Sequence, residues 1–269
     1  MNYSNLTLTI KEKVAFVELS RADKHNAIDM TLFLELIDVI KKLRKNTCIR
    51  AVIVSGQGED YCSGIDIKSL FKSPKHALRL LFKWFPWQSN MAQKVSTGWR
   101  DLPIPVIFSM HGRCWGAGMQ IAFGGDFRIA TPNASISIME AKWGLIPDMG
   151  GTLALRELLP LDVAKELAMT AKVISGNDAL KLGLLTKVAN DPLQQAKQLA
   201  EEITKYSPDS VAACKKLYNK SWWSTNAAAL ARETLYQIKI LLGKNYKIKS
   251  YNQTHEQGKQ KSFKPRMKW

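Results

Sequence analysis

The residues best suited to chemistry fall in three glycine-bearing segments. Asp60–Leu70 reads DYCSGIDIKSL, His111–Gln120 reads HGRCWGAGMQ and Met139–Thr152 reads MEAKWGLIPDMGGT. In the first, a glycine turn follows a strand ending near Ser55, so backbone N–H groups are presented at a strand's carboxyl end. Open α/β sheets place ligands there. In the second, Gly116 and Gly118 let backbone approach a ligand closely, and the following helix directs its positive N-terminus at the same place. The third carries two carboxylates, Glu140 and Asp148, at a strand end and in the loop beyond it. N–H donors converging on a carbonyl oxygen stabilise negative charge there, and a carboxylate beside them moves a proton at the neighbouring carbon. The combination points to carbonyl activation.

Other chemistries fit the residues less well. Gly116-Ala-Gly118 lacks the third glycine of a dinucleotide fingerprint, and no G-K-[ST] phosphate loop is present. Cys48, Cys62, Cys114 and Cys214 form no C-x-x-C pair, and His25, His76, His111 and His255 form no H-x-x-x-H pattern. Neither a zinc site nor a disulfide framework is expected, and no metal.

These segments need elements to position them. Val14–Leu19 (VAFVEL) predicts a strand and Arg21–Asn26 a polar turn. Asp29–Leu43 predicts an amphipathic helix, with Leu32, Phe33, Leu36, Ile37, Ile40 and Leu43 at helical spacing and Asp29 as N-cap. Ile49–Ser55 reads as a buried strand. A second unit follows: strand Ile104–Met110, loop His111–Trp115, short helix Gly116–Phe123, then short strands Phe127–Ala130 and Ser135–Ile138. Strands alternating with helices argue an α/β fold with a mainly parallel sheet. Beyond about residue 190 the strand signals stop, and helices are expected over Gln194–Tyr206, Pro208–Leu217 and Ala227–Leu242. The chain therefore divides into an α/β core, 1–190, and a helical part, 191–269. Between them in role is Asp66–Pro103, whose run LRLLFKWFPW reads either as a helix packed on the core or as a lid over an apolar ligand.

At 269 residues and 46% hydrophobic, the chain can bury a sizeable core. It holds no run of about eighteen apolar residues, so no membrane span is expected. Met1–Val14 has neither a secretory apolar core nor an Arg-rich transit pattern, which makes a cytoplasmic location the expectation. The formal net charge of +16 includes a basic stretch from Lys239 onward. Such charge serves solubility or attracts an anionic partner, whether a phosphate-bearing cofactor, nucleic acid or an acidic membrane.

The segments also resemble, in order, the signatures of the crotonase (enoyl-CoA hydratase/isomerase) superfamily. Arg21–Ala27 (RADKHNA) is similar to R-P-x-K-x-N-A, with Ala22 in place of proline. Tyr61–Ile67 (YCSGIDI) resembles F-C-A-G-x-D-[IL]. His111 through Gly118, with Asp126–Ala130 (DFRIA), resembles G-x-x-x-G-G-G…D-x-R-I-A, and Gly144–Thr152 resembles G-[IL]-x-P-x-x-G-G-T. The matches span Val14–Gly183, and Ser207-Pro208 before a helix suits the family's C-terminal part.

The resemblance implies a crotonase-type spiral of ββα units with a helical C-terminal oligomerisation part. It implies the backbone N–H groups of Ile65 and Ala117 as an oxyanion hole for a thioester oxygen. It also implies that coenzyme A is held by Lys24, His25 and Ala27, by Ser63, Gly64, Asp66, Ile67 and Lys68, and by Gly116. Lys264 or Arg266 is expected to meet its phosphates. Family hydratases hold one water between two carboxylates. The later matches Glu140, and the earlier falls on Gln120, whose amide orients a group but takes no proton. Asp148 matches an aspartate of the family's dienoyl-CoA isomerases and offers a second acid.

The activity this implies is hydration of a 2-enoyl-CoA in fatty-acid or related acyl-CoA metabolism. The alternative is double-bond migration in an enoyl- or dienoyl-CoA. A third reading, from Gln120 and the +16 charge, is an acyl-CoA- or RNA-binding protein with weak catalysis. No cofactor is expected beyond the coenzyme A of the substrate. Expected partners are that substrate and further copies of the chain in a trimer or hexamer, with no membrane and no nucleic acid.

Overall fold

Strand β1 (Leu6–Lys11) turns back antiparallel onto β2 (Val14–Leu19), which ends in the turn holding the Ala22–Lys24 3-10 helix. The computed structural model describes residues 3–70 and 74–269. Helix α1 (Met30–Lys45) then crosses over to β3 (Ala51–Gly56), parallel to β2 with Val14 opposite Ala51. Helices α2 (Ile67–Leu70), α3 (Pro74–Leu81) and α4 (Met91–Arg100) precede β4 (Val106–Met110). The next unit is β5 (Arg113–Trp115) and α5 (Ala117–Ala122), followed by β6 (Phe127–Ala130) and β7 (Ser135–Ser137). Helices α6 (Gly151–Leu158) and α7 (Leu161–Thr170) lead to β8 (Ile174–Ser175), α8 (Gly176–Leu182) and β9 (Lys187–Val188). Four helices close the chain: α9 (Pro192–Thr204), α10 (Pro208–Ser221), α11 (Asn226–Leu241) and α12 (Lys244–Gln253).

The strands form two sheets, ordered β1-β2-β3-β4-β6-β9 and β5-β7-β8. All neighbours in the larger sheet beyond β1 are parallel. Alternate residues of a strand face opposite sides. Val17, Val52, Val54, Val106 and Phe108 enter the larger core, whereas Val14, Ala51, Ile53 and Ile107 enter a smaller one. Burial on both faces explains why β3 and β4 read as unbroken apolar runs. Helix α1 covers the larger core with Leu32, Phe33, Leu36 and Val39, all fully buried. Its Asp29 cap accepts the Leu32 N–H at 2.8 Å, and Lys42, Arg44 and Lys45 sit in its last turn, where the helix dipole favours cations. Truncating Leu36 to Ala would leave a cavity costing about 2–5 kcal/mol. Helix α9 covers the opposite face with Ala196 and Ala200, so the first helix beyond residue 190 lies on the sheet.

Two expectations are corrected. His111–Trp115 is not all loop, because Arg113–Trp115 pairs parallel with Ser135–Ser137, and Cys114 also bridges Cys62. The aromatic run after Leu78 does not pack on the core either. Phe82, Trp84, Phe85 and Trp87 are all exposed, Trp84 to 82%, and only Leu80 of α3 is buried. The core contact comes instead from Val95 and Trp99 of α4, started by an Asn90–Gln93 capping box. Residues 71–73 of that stretch lie outside the described residues. Among the described residues, no helix is long and apolar enough to cross a membrane, and no His, Cys, Asp and Glu group is arranged to hold a metal.

Candidate active site

The loop after β3 is held in place by the turn after β2. Asn26, fully buried, donates its amide to the carbonyls of Gln57 and Asp60 at 2.9 and 2.8 Å and accepts the Arg21 N–H at 2.9 Å. The two turns then exchange backbone bonds. Ser63 N–H donates to His25 O, Ile28 N–H to Gly64 O and Asp66 N–H to Ile28 O. In this parallel bridge between Ile28 and Ile65 the Ile65 N–H faces the other way, and no described residue accepts it.

A second N–H arrives from Gly116. That residue has φ 49° and ψ −119°, a conformation only glycine adopts readily, and it turns the chain from β5 into α5. Ala117 is the first residue of α5, so its N–H has no intrahelical acceptor, and no other described residue takes it. Gly64, at φ 101°, lies against this turn. A Cβ there would sit 3.1 Å from Trp115 O and 3.8 Å from Ala117 N, so only glycine allows the approach.

Both N–H groups belong to residues lining one cavity of 350 Å³, together with Ser63, Gly64, Ile67, Gly116 and Glu140. Glu140 opens a 3-10 turn, Glu140–Trp143, and is 9% exposed. Its Oε1 accepts Gln120 Nε2 at 2.5 Å, while its Oε2 is buried with no partner among the described residues. Burial raises the Glu140 pKa above the usual carboxylate range, the nearby Asp148 charge pushes it the same way, and the Gln120 bond opposes both. A buried carboxyl with one free oxygen and a raised pKa is suited to take up and return a proton.

Gln120 is 1% exposed and does not line this cavity. Its carbonyl oxygen accepts the N–H of Met149 at 2.9 Å and of Gly151 at 3.4 Å, so it acts from behind Glu140. Asp148 lines a different cavity, of 230 Å³, with Trp87, Gln88 and Thr152. Burial raises its pKa as well.

The other sequence candidates are distributed around the first loop. Lys24 and Lys68 are exposed, and Ala27 is partly buried with its carbonyl taken by Arg21. His25 sits with φ 51°, its Nδ1 2.8 Å from Asp60 Oδ2. Asp66 gives one oxygen to Arg21 Nη1 at 2.9 Å and the other to the Ser69 N–H at 3.0 Å. Arg266 is not placed to meet a phosphate. It is 5% exposed and donates to the Arg44 carbonyl at 3.0 Å, because the C-terminal tail folds back onto the end of α1.

Sequence reading missed part of the wall. Trp115, Met139, Lys142, Trp143 and Leu145 all line the cavity. Their adjacency to the glycine turns was the available signal. Val173, between α7 and β8, also lines it and carries no local signal.

Comparison with known proteins bears on this geometry. The family model described as "Enoyl-CoA hydratase/isomerase" matches residues 9–263. A carnitinyl-CoA dehydratase of Proteus mirabilis (strain HI4320) is 31% identical over 217 residues, 80% of each chain. The structure of an enoyl-CoA hydratase from Polaromonas sp. JS666 superposes with a TM-score of 0.79 at 27% identity, covering 96% of this chain and 99% of the other. That of an enoyl-CoA hydratase from Bacillus anthracis gives 0.86 at 24% identity, covering 97% and 100%, and speaks to the fold alone.

Proposed function

Because the chain belongs to the enoyl-CoA hydratase/isomerase family, we propose that it is an acyl-CoA enzyme that stabilises a thioester enolate and adds water to a 2-enoyl-CoA. The observation that carries this reading is the convergence of two unengaged N–H groups and one buried carboxyl on a single cavity. In the proposed reaction the Ile65 and Ala117 N–H groups donate to the thioester oxygen. Glu140 takes a proton from water as the water oxygen bonds to C3, and the displaced π electrons become an enolate held by the two donors. Glu140 then returns the proton to C2. One oxyanion-hole donor is worth about 2.7–4 kcal/mol of barrier. Gln120 holds Glu140 in place, and Asp148 helps keep its pKa high. The reaction requires no cofactor beyond the substrate's coenzyme A, held by the turns around Lys24, His25 and Ala27 and around Ser63–Lys68.

Double-bond migration is the second reading, favoured by one observation. Glu140 is the only carboxyl lining the cavity among the described residues, with Gln120 in place of a second acid. A single acid suffices to carry a proton between two carbons of the acyl chain. A panel of enoyl-CoA thioesters in heavy water, read by mass spectrometry, separates the two. Gain of one water supports hydration. Deuterium at an α- or γ-carbon without added water supports migration, and neither change on any thioester contradicts both.

We place the activity in fatty-acid or related acyl-CoA metabolism in the cytoplasm, and the chain in a homotrimer or a hexamer of two trimers. The helical part from residue 191 would form the contacts. Helix α11 buries none of its own residues, and Leu230, Leu235, Ile238 and Leu241 stay exposed on it. A three- or six-chain mass in sedimentation is the expected result, and a monomer would contradict it.

A further inference from the structure

The cavity has two charged side chains on its wall among the described residues, and they differ in kind. Glu140 is turned inward and bonded to Gln120. Lys142, two residues on, is exposed, beside Trp143 at 63% and Leu145 at 48% exposure, so this wall is where the cavity opens to solvent. The Lys142 N–H donates to Met139 O at 3.1 Å, which fixes where the side chain leaves the 3-10 turn. Its ammonium makes no ion pair, hydrogen bond or ring contact with any described residue. Glu140 and Asp66, which lie in or next to the cavity wall, are otherwise placed: Glu140 bonds Gln120, and Asp66 is held by Arg21.

Beyond these two charges the wall is largely apolar, with Ile65, Trp115, Met139 and Val173. A cation without a counter-ion beside an apolar wall is screened less than one in open water, so an arriving anion gains more there. A substrate with no charge near the ammonium gains nothing from it.

We propose that Lys142 is a specificity-determining residue that binds an anionic oxygen group of the substrate at the cavity opening. That group is a carboxylate at the far end of the acyl chain or a phosphate of the coenzyme A. This rests on the acyl-thioester reading of the cavity. It makes the opening selective for negative charge, and a cationic acyl group is disfavoured there.

The test uses four saturated ligands that cannot be turned over: butyryl- and glutaryl-thioesters of coenzyme A and of pantetheine. Butyryl-pantetheine carries no charge, glutaryl-pantetheine only the acyl carboxylate, butyryl-CoA only the phosphates, and glutaryl-CoA both. Dissociation constants of the intact protein are measured by calorimetry for wild type, Lys142→Met and Lys142→Arg. With an acyl carboxylate as the contact, Lys142→Met weakens both glutaryl ligands by about tenfold relative to their butyryl partners. With a phosphate, both coenzyme A ligands weaken relative to the pantetheine pair. Lys142→Arg retains most of the preference in either case. An equal loss across all four ligands, or a change under about twofold throughout, would overturn the proposal. Failure of all four to bind the wild type would instead bring down the acyl-thioester reading and this proposal with it.

Discussion

The Gln120 amide is locked in one orientation against Glu140. Its Nε2 donates to Glu140 Oε1 at 2.5 Å, and its Oε1 accepts the N–H groups of Met149 and Gly151 at 2.9 and 3.4 Å. A flipped amide would set oxygen against oxygen and NH₂ against two N–H donors. The glutamine is therefore a fixed support for one carboxylate, with no proton of its own to give.

Replacing that support with an acid has a predictable consequence. In Gln120→Glu, one new oxygen takes the Met149 and Gly151 N–H groups, and the other meets Glu140. The pair then keeps one proton to a higher pH than an isolated carboxyl does. The folded state binds a proton that the unfolded state releases, so stability is full at acid pH and falls as pH rises through the raised pKa. The melting-temperature deficit of the variant relative to wild type should widen as pH rises above the ordinary carboxylate range. Its optimum for crotonyl-CoA hydration should also move upward. A deficit that stays flat with pH would show that the two carboxyls do not meet.

Glu140→Gln should lower kcat by about a hundredfold or more while changing thioester affinity little. Glu140 itself has a raised pKa through burial, so wild-type stability should decline as pH rises through that pKa. The variant, with nothing to titrate at this position, should lose that part of the slope. Turnover retained in Glu140→Gln would remove this residue from the mechanism.

Gly116→Ala probes the second donor. The position has φ 49°, and an added Cβ would lie 3.5 Å from Glu140 Oε1. The turn must shift to relieve the strain, and the Ala117 N–H shifts with it. The expected loss in kcat/KM corresponds to about 2.7–4 kcal/mol, with about 1–3 kcal/mol lost from stability. A folded Gly116→Ala protein with wild-type kcat/KM would show that the Ala117 donor is not used.

Much of the α/β half was legible because its signals are local. Apolar spacing marked α1, Asp29 marked its cap, and short apolar runs marked β2 and β6. The turns that wall the cavity were legible through residue type, since Gly64, Gly116 and Asn26 each occupy a position few other residues could fill. What stayed hidden depends on distant partners. Strand β5 has only three residues, and its pairing partner lies 22 residues further along, Arg113 opposite Ser135. The orientation of Gln120 depends on two N–H groups beyond residue 148. The basic tail reads as solvated charge, yet Arg266 is buried because its partners are carbonyls at the end of α1.

Arg266→Ala should lower stability by about 1–3 kcal/mol, since it removes a buried side chain and its bond to the Arg44 carbonyl. The KM for an acyl-CoA should stay near the wild-type value. A raised KM with unchanged melting temperature would return Arg266 to the phosphate-binding role that the sequence suggested.

The central claim is that the Ile65 and Ala117 N–H groups grip a thioester oxygen. The most direct measurement is the isotope-edited infrared spectrum of a 2-enoyl-CoA labelled with carbon-13 at its thioester carbonyl and bound to Glu140→Gln, where turnover is suppressed. Two aligned donors polarise the carbonyl more than water does. Its stretching band should therefore shift below the frequency of the free thioester in water, and that shift should diminish when Gly116→Ala is added. A bound band at or above the aqueous frequency, in a variant that still binds the ligand, would contradict the claim.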